Sequence, residues 1–138
     1  MESLIIQSYF DSNGQILPNL ITDLGEYNIK DLIEKLREQI KDRNNRNEKL
    51  NINQLRKFYD TFLKIYNNKT EEKEKKVQLL MLKANAEYSA KRLNTNRFKT
   101  FLSNRINIVV SKSGREFEEN LKALKLHFEA LVAYYPKN

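Results

Sequence analysis

The stretch Leu80-Met-Leu-Lys-Ala-Asn-Ala-Glu-Tyr-Ser-Ala-Lys-Arg92 decides the fold class. With the residues just before it, it reads as one long helix with two apolar stripes at about 100° per residue. Val77, Met81, Ala84 and Tyr88 form one stripe; Leu79, Leu82, Ala86, Ala90 and Leu93 form another on the far side. Two polar edges separate them. One carries Lys76, Lys83 and Glu87; the other carries Gln78, Asn85, Ser89 and Arg92. A helix apolar on two faces is central in a bundle or shares one face with a partner. Thr70, followed by Glu71 and Glu72, is the expected cap, and the helix ends near Arg92.

Helices are expected on either side. Asn28 caps a first helix, whose stripe is Ile29, Leu32, Ile33, Leu36 and Ile40, ending near Lys41. A polar, Asn-rich loop follows from Asp42 to Lys49, and it adds Arg43, Arg46 and Lys49 to the basic residues. Asn51 with Gln54 forms a capping box for a second helix to about Tyr66. A fourth helix starts near Thr95 and stops before Gly114, read as its breaker. Phe98, Phe101, Leu102, Ile108 and Val109 share its apolar face, and Arg105 falls inside that stripe. A fifth helix runs from Arg115 to Tyr135, with Pro136 ending it and an Ala-rich second face of Ala123, Leu126, Ala130 and Ala133. Residues 1–27, with turns at Asn13-Gly14, Leu17-Pro18 and Gly25, form a less ordered arm. Its Leu4, Ile5, Ile6, Tyr9 and Phe10 could dock on the bundle or on a partner. The expected architecture is all-α: a single-domain five-helix bundle over residues 28–138 preceded by this N-terminal arm.

The composition supports that reading. Three glycines and two prolines in 138 residues leave few helix breakers. With 25 Lys and Arg against 18 Asp and Glu, the net charge is +7, which favours an anionic partner. The absence of cysteine excludes disulfides and thiolate metal sites. No apolar run is long enough to cross a membrane, and the first residues do not read as a signal peptide, so a cytoplasmic protein is expected.

Catalytic chemistry finds no support. His127 stands alone at the flank of the fifth helix's stripe and is read as a surface or half-buried residue. There is no glycine loop to cradle phosphate and no acidic cluster for a metal. Carboxylates sit mostly one helical turn from a Lys, as Glu87 does from Lys83, where solvated pairing is the simple account. No catalytic residue, metal ligand or cofactor is expected.

The basic residues point elsewhere. Lys57 and Lys64 lie on the solvent side of the second helix, while Arg56, Lys83, Lys91 and Arg92 border apolar faces, where long stems lie on the core and charged heads point outward. Contacts from such residues to phosphates hold a strand without reading its sequence. Tyr59 and Tyr88 are read as core. No short recognition helix suggests duplex-DNA reading.

Three segments carry a resemblance: Gln54-Leu-Arg-Lys-Phe58, Leu80 to Arg92, and Phe128-Glu-Ala-Leu-Val-Ala-Tyr134. From about residue 50 onward the chain resembles the small subunit of type III-A CRISPR (Csm) effector complexes. The resemblance implies a non-catalytic five-helix bundle acting in antiviral defence. Several copies would line up head to tail beside the backbone subunits that hold the guide RNA (crRNA). Its basic side would bind the target RNA and the crRNA–target duplex, while backbone and large subunits do the cutting. The matching positions for RNA contact are Arg56, Lys57, Lys83, Lys91 and Arg92. Surfaces for neighbouring copies are expected on the Leu79–Leu93 stripe and on the Ala-rich face of the fifth helix. A helical adaptor or homodimeric protein without direct RNA binding is the alternative.

Overall fold

The computed structural model describes residues 4–38, 50–93 and 95–137. The expected positions Ile40, Lys41, Arg43, Arg46 and Lys49 lie outside the described residues. Among these described residues five α-helices follow in order: α1 (Ile29–Arg37), α2 (Ile52–Asn67), α3 (Glu72–Leu93), α4 (Asn96–Val110) and α5 (Gly114–Tyr134).

Local chemistry sets where they begin. The Asn28 side chain accepts the N–H groups of Lys30 and Asp31, and the Asp31 carboxylate accepts the Asn28 N–H. Asn51 and Gln54 repeat the exchange for α2, at 2.8 and 2.9 Å. Each box satisfies donors that a helix start leaves without partners. α3 opens at Glu72, which places Glu71 rather than Thr70 just before it. Gly114 also differs from expectation. α4 stops at Val110, and Gly114 is the first residue of α5, at a φ of +59° that a side chain would strain. Its N–H donates to the Glu72 carboxylate at 2.8 Å, and Lys76 pairs with the same carboxylate at 3.1 Å. Together these hold the Glu72 carboxyl below its ordinary range, the Gly114 bond contributing most. Glu72 thus anchors the start of α5 from the first turn of α3, where a negative charge suits both helix dipoles.

α2, α3, α4 and α5 pack as a ring, each on the next, with α5 closing on α2; α1 lies against α4 and α5. A chain of rings fills the middle. Phe58 meets Phe98 at 4.9 Å between centroids, Phe98 meets Phe101 at 5.9 Å, and Phe128 meets Phe62 at 5.6 Å and Tyr59 at 5.2 Å. Burying one such side chain stabilises the fold by about 1.5–3 kcal/mol.

In this ring α3 packs chiefly on α2 and α4, so only one of its stripes faces inward. Leu79, Leu82, Ala86 and Ala90 are buried. This corrects the assignment of the Leu79–Leu93 stripe to partner contacts. Val77, Leu80, Met81 and Tyr88 are exposed, Tyr88 at 68% of its surface, which corrects its reading as a core residue. Tyr59 is half-buried against Phe128, and burial with the nearby Glu129 pushes its hydroxyl to about 12. On the Ala-rich face of α5, Ala123 is buried while Ala133 is exposed.

The N-terminal arm docks onto the bundle. Among its described residues the only regular elements are a single turn of 3-10 helix, Pro18–Leu20, and an isolated bridge between Phe10 and Ile16. Yet Leu4, Tyr9 and Leu20 join the same core as the helices. The Asn104 amide pairs with the backbone of Ile6 through two bonds of 3.0 and 3.1 Å. Beneath the arm, Arg105 is fully buried with its guanidinium 4.5 Å from the Phe101 ring centre. Its Nη1 donates to the Leu4 carbonyl at 2.7 Å and to Asn104 Oδ1 at 2.6 Å, and its Nε donates to His127 Nε2 at 3.2 Å. Carbonyl pairing therefore accounts for the odd arginine in an apolar stripe.

His127 is not a surface residue. It is 1% exposed and lies between Arg105 and the arm. Its Nδ1 sits 2.6 Å from the Leu20 carbonyl. Guanidinium can only donate and a carbonyl can only accept, so the ring must carry its proton on Nδ1 and be neutral. Burial, reinforced by the Arg105 charge, pushes its pKa down to about 3. Burial also lowers Arg105 to about 10, so the guanidinium stays cationic at neutral pH.

Candidate nucleic-acid interface

The six candidate cations are spread over different parts of the bundle. Arg56, Lys57, Lys64, Lys91 and Arg92 are exposed, and Lys83 is half-buried. Lys57 and Arg92 come together at one groove between α2 and α3. Lys64 lies two turns beyond Lys57 on the same edge of α2, since seven residues at about 100° each return to nearly the same direction. Arg56 points about 100° away from Lys57, on the flank of α2 that carries Tyr59 toward α5. Lys83 reaches α4, where its Nζ donates to Asn107 Oδ1 at 3.0 Å. Lys91 stands off the groove, on the side of the exposed stripe of α3.

The groove has a volume of about 190 Å³. From α2 it is lined by Gln54, Lys57, Phe58 and Thr61; from α3 by Leu82, Asn85, Ser89, Arg92 and Leu93. It exists because small and polar residues face each other here. Ser89 and Asn85 on α3 and Thr61 on α2 have short side chains that leave open the space above the buried Leu82. Phe58 packs against Phe98. Among the described residues its two charged lining residues are both cations, and no carboxylate lines it. The Arg92 guanidinium also lies 5.8 Å from the centre of the exposed Tyr88 ring. Such a contact restrains the guanidinium beside the exposed Tyr88 ring.

Sequence reasoning named Lys57, Lys64 and Arg92 as candidates but missed Tyr88 as a surface ring. It also missed that Asn85 and Ser89 line an opening with Arg92. The signal was present, because Asn85, Ser89 and Arg92 recur at helical spacing on one polar edge of α3. Among the described residues no group of three His, Cys, Asp or Glu side chains comes together to hold a metal. No described helix is long and apolar enough to cross a membrane.

Comparison with known families identifies the family of the chain. The family model for Csm2 Type III-A matches residues 26–137. The chain belongs to the Csm2 family. It is therefore a small subunit of the type III-A Csm complex, and it shares that complex with the other Csm subunits. The match reaches further toward the N-terminus than the motifs from residue 50 onward: it takes in α1 and its Asn28 cap but only the last two residues of the docked arm. No curated protein and no solved structure matches the chain.

Proposed function

We propose that this Csm2-family chain is a non-catalytic, cytoplasmic subunit that holds the target RNA strand by its phosphates. The strand runs along the edge formed by Lys57, Lys64 and Arg92, and base pairing with the guide supplies sequence choice. One observation carries the reading. Lys57 and Arg92, from two different helices, converge on one groove that has no carboxylate among its described lining residues. Phosphate contacts of this kind give affinity without sequence preference, as a subunit serving any target requires. Arg56, Lys83 and Lys91 serve as outlying contacts to the crRNA–target duplex. The exposed stripe of Val77, Leu80, Met81 and Tyr88 serves neighbouring copies and the backbone and large subunits.

That apolar stripe also favours the second reading, a helical adaptor that assembles with other subunits and leaves the RNA to them. Binding of single-stranded RNAs of unrelated sequence separates the two. The RNA-holding reading predicts similar, salt-sensitive affinity for all of them, and loss of binding on Lys57→Glu with Arg92→Glu while the helical signal is kept. Normal RNA binding by that double variant refutes the site. Failure of the wild-type chain to bind RNA, alone or within the assembled complex, refutes the RNA-holding reading and leaves the adaptor.

A further inference from the structure

We propose that the α2–α3 groove takes a single unstacked nucleobase of the bound RNA strand. This rests on the phosphate-holding reading and adds a base contact to it.

The groove combines three kinds of surface. Phe58 and the buried Leu82 give it an aromatic and aliphatic floor. Asn85 and Ser89 give it amide and hydroxyl groups that can donate or accept. Lys57 and Arg92 put positive charge at its sides. A nucleotide has the matching parts in the matching order: a flat ring, a polar ring edge, and a phosphate a few bonds away. An apolar side chain of a protein would leave the amide and both cations without use, and an acidic one would leave the floor without use.

Size narrows the ligand further. At about 190 Å³ the groove falls below the roughly 300–1,000 Å³ of sites for drug-sized molecules, so it suits one ring system and not a stacked pair. Phe98 packs on Phe58 at 4.9 Å between centroids, with the rings tilted by 51°, which holds in place the ring that the base would meet. Because an amide offers both donors and acceptors, Asn85 can serve any of the four bases, and the contact would not select sequence.

The test compares the full-length chain binding an RNA oligonucleotide and a ribose-phosphate oligomer of equal length without bases. One stacked base predicts that the abasic oligomer binds roughly 5- to 150-fold more weakly, with a similar salt dependence. Asn85→Phe, an exposed site where the new ring fills the groove, should remove that difference while keeping abasic binding and helicity. Equal binding of both oligomers by the wild-type chain overturns the base site and leaves phosphate holding intact. Binding of neither overturns both. Full discrimination kept by Asn85→Phe places the base contact elsewhere and overturns the groove. So does an Asn85→Phe chain that binds RNA normally but no longer assembles with other subunits, because the groove is then a protein site.

Discussion

Acidification should loosen the docked arm through His127. The ring is neutral in the folded chain, with Nδ1–H given to Leu20 and Nε2 accepting from Arg105. A second proton would break the Arg105 bond and set two cations side by side. The folded pKa of about 3 lies below the ordinary 6.5, so the unfolded chain binds more protons between those values. Stability from this group is then complete above about pH 6.5 and falls as pH drops toward about 3. At about 1.36 kcal/mol per unit, lowering the pH from about 7.5 to about 5 removes about 2 kcal/mol. Urea titrations followed by far-UV circular dichroism measure this directly. His127→Gln is the control, because its amide offers one donor to Leu20 and one acceptor to Arg105 without titrating. The variant should lose most of the pH dependence in that window. A wild-type midpoint flat between about pH 5 and 7, or an equal slope in the variant, refutes the neutral buried imidazole.

Other substitutions probe the bundle. Phe62→Ala should cost about 3–5 kcal/mol in the same titration, since the ring is fully buried against Phe128. Leu82→Glu should unfold the chain or lower its stability by about 3 kcal/mol or more, because it buries a carboxylate beneath the α2–α3 groove; a fully stable variant that fails only in assembly would return this stripe to a partner surface. Asn51→Ala should cost about 1 kcal/mol, the loss of one capping box, with the midpoint shift as readout.

The helix starts were legible because their causes are local. Asn28 with Asp31, and Asn51 with Gln54, decide their own geometry within four residues. The burial of α3 was not legible in the same way. Periodicity shows that two stripes exist, and only packing on α2 and α4 decides which one turns inward. One cue was available: Lys73 and Lys91 bracket the outer stripe along the helix, as solvent-facing charges do. His127 was misread for a related reason. Its position at the edge of a stripe is half-buried within α5, and the docked arm covers the other half through Leu20. The partners of Arg105 were likewise beyond sequence reach, because the Leu4 carbonyl is brought over α4 only by the arm. Among the cations, spacing along each helix was readable, but the meeting of Lys57 with Arg92 depends on how α2 and α3 pair.

The central claim is that Lys57 and Arg92 hold RNA phosphates. The most direct measurement is the salt dependence of single-stranded RNA binding by the wild-type chain and by Lys57→Gln with Arg92→Gln. Two lost phosphate contacts should make the slope of log K against log salt shallower by about 1.4, at about 0.7 per contact. An unchanged slope, with RNA still bound, would contradict the account.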